Sequence, residues 1–411
     1  MITIGHHGYP VLTGTPENIR DQLDFLRTQR PLVKAEADGI LTWLVLSYDM
    51  VQVLAIDPRV SRDLRQHGPE DLRTTTSPTA ALAQINDVSN TYGEAHRIER
   101  ARLSPPFTHR RVHAMEDAVQ KIADRLTAQL ATAAPGETVD LRQKIARPLP
   151  AEVICDLLGV PGHLRRPLLD AIDTLVNATE RTSDEVACDL ARLHAHVDEL
   201  RAHKLAHPAD DLSTAVVRPP DGQPALPAEA QRDTLFGVIG AGFETTVNLI
   251  TAAFFHLLRT PACRSALRAG RLSYDDVVEE TLRIQAPLAQ LPFRYAVEDI
   301  RLGATTVIKK GDVISFMYAA ASRDPALHAD PDEFRPHRAN KSHMAFGHGV
   351  HHCPGASLAR LETRTALRIV LTALPDITLA HPGQTPKLIP STVINGFQTL
   401  PVIPRPTSPQ H

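Results

Sequence analysis

The chain has 411 residues, enough for two ordinary domains or one large one, and its 44 basic against 47 acidic side chains leave a formal net charge of −3. That near-neutral balance argues against nucleic acid or an anionic membrane surface as a partner, while 43% hydrophobic residues can fill a sizeable core. Four scattered cysteines (Cys155, Cys188, Cys263, Cys353) make no disulfide framework, and the start Met1-Ile2-Thr3-Ile4-Gly5-His6-His7 has no basic segment followed by an apolar core, so a cytoplasmic protein with no membrane span is expected.

In chain order, Leu41 to Leu46 reads as a strand and Asp49 to Ile56 as a helix stopped at Asp57-Pro58. Helical periodicity then dominates at 94–104, 111–133, 140–158, 161–176, 183–206, 227–259 and 274–285. A second strand signal runs from Ile300 to Ile314 with Gly311-Asp312 as a turn, and a last helix is predicted at 356–373. The expected class is mainly α with small β-sheets. A single domain spans 1–411, with a small β-rich part near 35–60 and 295–320 and a helical core at 94–290 and 356–373. The proline-rich patch from Arg218 to Pro224 is only a loop, and no repeat divides the chain. His203 and His207 have the spacing of a helical metal pair but no glutamate beside them, so they read as surface residues.

The run Gly237-Val238-Ile239-Gly240-Ala241-Gly242-Phe243-Glu244-Thr245-Thr246 crowds three glycines into a helical segment. Each costs about 1 kcal/mol against alanine, so a packing or functional reason is expected. A dinucleotide fingerprint would need a preceding strand and a glycine where Thr245 stands. The better reading is a helix laid against a flat partner, with Ala241 and Gly242 allowing close approach and Glu244-Thr245 placing an acid beside an alcohol. The alternative is that Thr245 back-bonds to the Ala241 carbonyl and Glu244 faces solvent. Further on, Glu280 and Arg283 are three apart and share a helix face.

Near the carboxyl end, Phe346-Gly347-His348-Gly349-Val350-His351-His352-Cys353-Pro354-Gly355 sets a thiol on a loop directly before a helix-forming run. Glycines at 347, 349 and 355 permit positive φ and close approach to a bulky partner. The helix start offers free N–H groups and a positive dipole end that favour thiolate, the metal-binding form. A single thiolate with no second cysteine nearby suits iron in a haem better than tetrahedral zinc.

The pattern Phe-Gly-x-Gly-x-His-x-Cys-x-Gly closely resembles the haem-binding loop of the cytochrome P450 family. Fragments from Arg147 to Pro161 look like bacterial members as well. The resemblance implies haem b held by Cys353, with Phe346, Gly347, His351 and Gly355 around it and Ala241 and Gly242 on its oxygen-binding side. It implies that Thr245 orients dioxygen and waters, that Glu244 helps relay protons, and that His96, Arg100, Arg294 and His351 contact the propionates. Glu280, Arg283 and Arg338 match the family's buried structural network.

The implied activity is insertion of one oxygen atom from O2 into an apolar small molecule, as in hydroxylation of a macrolide or steroid. Oxidative aryl coupling at the same centre is the alternative, and a haem carrier or gas sensor a third. Electrons would come from a separate ferredoxin and its reductase, docking on Arg97, Arg102, Arg110, Arg111, Arg360 and Arg364. Expected pocket walls are the loop at 65–92, the helices near 165–190, and Phe236, Gly240, Leu288, Ala289, Gln290, Leu291, Ile394 and Phe397, with no paired acids to anchor an amine. The tail Ile394-Asn395-Gly396-Phe397 departs from the Arg-Gly of many relatives.

Overall fold

The computed structural model describes residues 3–407 apart from 6, 7, 76, 77, 177–182 and 220–224. The helices that build the site are α1 (Pro16–Gln29), α2 (Tyr48–Ala55), α3 (Gly93–Leu103), α4 (Glu116–Leu130), α5 (Pro148–Leu157), α6 (Gly162–Val176), α7 (Ser183–Ala206), α8 (Ala228–Arg259), α9 (Tyr274–Ile284) and α10 (Ala356–Ala373). The central one is α8. It starts behind Pro227 and stops at Thr260-Pro261, where the next proline cannot continue its hydrogen bonding. Leu235, Ile239, Phe243, Val247, Ile250, Phe254 and Leu257 follow the helical period, and Leu249, Ala253 and Leu258 are buried as well, so its second half is enclosed on all sides. Helices α5, α7, α9 and α10 all pack on it. By length and composition α8 is also the one helix among the described residues that matches a membrane span, which the sequence reading did not anticipate. Its apolar side chains lie in the main core cluster.

The β part is a seven-stranded sheet of β1 (Thr3–Ile4), β2 (Pro10–Leu12), β3 (Leu32–Ala37), β4 (Ile40–Val45), β5 (Val60–Ser61), β6 (Leu291–Ala296) and β7 (Val313–Phe316), in the order β1-β2-β3-β4-β7-β6-β5. Asp38 and Gly39, with φ of 52° and 75°, turn β3 into β4 as a two-residue hairpin. Strand β7 runs parallel to β4 and antiparallel to β6, which fixes Arg294 opposite Ile314. Val139–Asp140, Thr378–Leu379 and Pro401–Ile403 form a second, three-stranded sheet.

Three predicted elements differ. The helix expected at 111–133 breaks at Met115 into His109–Ala114 and α4. The one expected at 140–158 becomes a strand at Val139–Asp140, a π-helical turn at Arg142–Ala146 and then α5. Pro148 forces that restart because it has no N–H to continue the ladder, and pairing with Pro401–Ile403 claims residues 139 and 140. The Ile300–Ile314 signal resolves into a hairpin, Ile300–Leu302 with Thr306–Ile308, followed by β7. The short helices Leu64–His67, Glu70–Thr74 and Pro78–Gln84 lie where only a loop was expected, each too brief to show periodicity.

Candidate functional site

The cysteine loop is folded on itself and pinned to α2. The Cys353 N–H donates to the Phe346 carbonyl at 2.9 Å, and the His352 N–H to that of Gly349 at 3.0 Å. Gly347 and Gly349 have φ of 68° and 71°. At Gly349 a Cβ would stand 2.5 Å from the Ala55 carbonyl oxygen, so only glycine fits against the last turn of α2. Gly355 differs from expectation: its φ is −80°, and it serves as the residue before α10 rather than as a left-handed turn. The N–H groups of Gly355 and Ala356 bond the Cys353 sulfur, and Arg100 and Arg360 add positive potential. Burial outweighs them, pushing the thiol up rather than down. The helix start alone therefore does not yield the expected thiolate; a coordinated metal ion deprotonates such a thiol outright.

Gly237, Ala241 and Thr245 fall at i, i+4 and i+8 on one face of α8. Ala241 is exposed and the other two half-buried, in a helix otherwise mostly enclosed. The Thr245 hydroxyl donates to the Ala241 carbonyl at 2.6 Å. Gly242 faces elsewhere: a Cβ there would lie 2.7 Å from Ile154 Cδ1, so its small size admits α5. Gly240 meets nothing within 4 Å and lies open. Glu244 is a correction. Its carboxylate is buried, Oε1 accepting from Arg142 Nη2 at 2.6 Å and Asn248 Nδ2 at 3.2 Å, and it does not join the Thr245 hydroxyl. Successive helix residues point about 100° apart, and the π-helical turn delivers Arg142 to the buried side. Nothing in the sequence marked Arg142 as that partner.

The predicted propionate contacts converge. His96 and His351 have ring centroids 4.1 Å apart. Arg100 Nη2 donates to the His352 carbonyl at 2.5 Å. Arg294 stacks 3.7 Å over the Phe316 ring and donates to the Tyr318 hydroxyl at 3.0 Å. A third arginine, Arg62, was missed by the sequence reading because an isolated loop arginine carries no motif. Its guanidinium is pushed down to about 10, chiefly by burial and then by Arg294. Burial first, then Arg100 and Arg62, holds His96 down to about 4, and His351 is depressed further by burial and the same cations. Among the described residues His96, His351, Arg100 and Arg294 form no ion pair with a carboxylate, and the buried His96 Nε2 has no hydrogen-bond partner. Two arginines without carboxylate partners, beside two neutral imidazoles that can donate an N–H, suit a dianionic edge. With the uncovered Ala241 stripe and the capped Cys353 sulfur, these residues fit haem b, its propionates among the basic groups and its iron on Cys353.

The scaffold trio also meets. Arg283 clamps Glu280 through Nε and Nη2, both at 2.8 Å, with both side chains fully buried. Arg338 Nε adds a 3.3 Å contact and the Arg335 N–H one of 2.8 Å to the same Glu280 oxygen. The free donors of Arg283 reach the Pro331 and Glu333 carbonyls at 2.7 and 3.0 Å, tying α9 to the segment before the cysteine loop.

Several wall residues stand apart from expectation. Phe397 is core, its ring 4.7 Å from Phe255. Ala289 and Ile394 line a groove against α1, beside Pro16, Ile19 and Leu23. Gln290 is buried and donates to the Thr392 carbonyl at 3.3 Å, Leu288 bridges Ile394, and Leu291 packs on the cluster around Phe316 and Tyr318. Phe236 sits edge-on to His194 of α7 at 5.7 Å. The six-arginine patch is mostly committed: Arg97 pairs with Glu94, Arg111 with Asp210, Arg360 with Glu279 and Arg364 with Asp275, while Arg102 is buried. Arg110 is exposed.

A capped cysteine on a glycine loop, an uncovered helix stripe and a cluster of basic groups define a haem-thiolate oxygenase. A profile of the family described as Cytochrome P450 matches residues 271–394. The 2-hydroxy-5-methyl-1-naphthoate 7-hydroxylase of Streptomyces carzinostaticus is 34% identical over 386 residues, 92% of this chain and 93% of that one. The vitamin D(3) 25-hydroxylase of Pseudonocardia autotrophica is 32% identical over 415 residues, 99% of each. The solved structure of CYP154A1 from Streptomyces coelicolor A3(2) covers 96% of this chain and 99% of its own with a TM-score of 0.89 and 39% identity. The chain belongs to the cytochrome P450 family; it is a haem b monooxygenase.

Proposed function

We propose that the protein hydroxylates an apolar, ring-bearing secondary metabolite of macrolide or steroid type in the cytoplasm, drawing electrons from a separate ferredoxin and its reductase. When bound, the haem supplies oxygen activation, with the thiolate pushing electron density toward O–O cleavage. The observation that carries the reading is the small-residue stripe Gly237–Ala241–Thr245, open at Ala241, with the Thr245 hydroxyl half-exposed at its end. A hydroxyl that spends its hydrogen on the Ala241 carbonyl keeps its lone pairs free to accept from water or substrate. Proton handling is therefore assigned to Thr245. Arg142 keeps Glu244 in the buried network, where it positions α8.

The naphthoate and vitamin D(3) hydroxylases named above support hydroxylation of a ring-bearing small molecule. The donor would dock beyond the thiolate, where Val350 and Ile56 are exposed, the latter packed under Gly349. Turnover with reduced ferredoxin under isotope-labelled dioxygen tests the proposal: the product should carry one labelled oxygen. A ring-coupled product without label would refute it in favour of oxidative coupling.

A further inference from the structure

The stripe that runs from Thr245 through Ala241 ends at Gly237, two helical turns or ~12 Å away. A Cβ at Gly237 would lie 2.2 Å from Asp87 Oδ2, so the glycine is what admits that carboxylate against α8. Asp87 is 8% exposed. Its Oδ1 is engaged by the Ser89 N–H at 3.0 Å and the Ser89 hydroxyl at 2.6 Å. Its Oδ2 accepts no hydrogen bond among the described residues. The charged groups around it are Arg62, whose Nε is given to the Ser89 carbonyl at 2.5 Å, Asp233, whose Oδ2 accepts from the Asn86 N–H at 3.3 Å, and Glu99. The sequence reading expected the loop at 65–92 as a wall but did not single out Asp87.

We propose that Asp87, seated on Gly237, is a specificity-determining residue that receives a hydrogen-bond donor of the substrate, a hydroxyl or an ammonium, while a carbon two helical turns away is oxidised. On a residue so little exposed, a carboxyl oxygen with an unused acceptor site is placed to take a donor. Burial also pushes the Asp87 carboxyl up, as expected for an acid short of donors. A substrate lying along the stripe brings one end to Asp87 and the other to Thr245. The proposal rests on the reading of this stripe as the substrate cavity.

The test uses the holoprotein and 1-alkylimidazoles, whose ring ligates the iron and reports binding through the Soret band. Chains of roughly six to twelve carbons span the ~12 Å stripe, each made with a hydroxyl, amino or methoxy end. At one length the hydroxyl or amino end should bind at least about tenfold tighter than methoxy, the ratio a hydrogen bond to a charged group gives. The two donor ends tell an alcohol site from an ammonium site. Asp87→Ala should abolish the advantage. Gly237→Ala should do so by displacing Oδ2 while leaving the Ser89 bonds and the melting temperature intact. Asp87→Asn, which retains an acceptor for Ser89 and presents an N–H, should favour methoxy. Equal affinity for all three ends at every length, or an advantage that survives in both Gly237→Ala and Asp87→Asn, would overturn the subsite. A Soret band unmoved by any chain has a different signature, and overturns the cavity reading beneath it.

Discussion

Replacing Glu280 with Ala removes the only carboxylate that Arg283 pairs with among the described residues, and both groups are fully buried. Four contacts vanish together: two from Arg283, one from Arg338 and one from the Arg335 N–H. The guanidinium of Arg283 keeps its carbonyl partners but loses its counter-charge in a dry site. Breaking a buried pair from one side costs on the order of 3–5 kcal/mol. For a chain of this length the unfolding entropy, at about 2.1 cal/mol/K per residue, converts that into a fall in Tm of about 4–6 °C. The loss should be concentrated next to the segment 331–346, so haem release on warming should precede helix melting. Thermal scans of holoprotein followed at the Soret band and by far-ultraviolet circular dichroism measure both events. Glu280→Gln, whose one carbonyl oxygen can still accept at the Oε1 position while its NH2 faces the Arg283 Nε donor, should fall between. A Glu280→Ala protein melting within about 1 °C of the parent would show that the network adds no stability and would refute the reasoning.

Thr245→Ala should bind haem and substrate normally yet divert reducing equivalents to peroxide, while Thr245→Ser, which keeps the hydroxyl, should stay coupled; full coupling in the alanine variant removes Thr245 from proton handling. Gly349→Ala must place a Cβ 2.5 Å from the Ala55 carbonyl at a φ of 71°, so a loss of about 2 kcal/mol or more and weakened haem retention are expected in denaturant titrations. His256, half-buried on α8 and 2.9 Å from Gln285 Oε1, is held down to about 4, mainly by loss of solvent around the ring. Its folded pKa lies below the unfolded value, so the imidazole stays neutral in the fold while the unfolded chain takes a proton. Stability is therefore unaffected above about pH 6.5 and is lost as pH falls from there toward 4, by about 3 kcal/mol from this group. His256→Gln should flatten that part of the stability profile, and an unchanged slope would assign the pH dependence to other groups.

The chemistry of this protein is written locally, and that is why so much of it is legible in one dimension. The cysteine loop is a contiguous decapeptide whose glycines, N–H groups and following helix act on one another across a few residues. Glu280 and Arg283 share a face by helical spacing alone, and the 3.6-residue period located α8, α9 and α10 to within about a residue. Other features belong to segments far apart in the chain. Arg62, Arg142 and Asp87 carry no motif, and their roles arise because a loop, a π-helical turn and a glycine bring each of them to a distant partner. The same holds for what the residues next to a motif do: Glu244 turns inward because Arg142 waits there, and Gly242 serves Ile154. Sequence by itself determined which side chains can ligate, donate or cap, since those are properties of the residue and its near neighbours. Only the tertiary structure decided which charges stay unmatched and which surfaces stay bare, because burial and long-range electrostatics depend on every element packed around them.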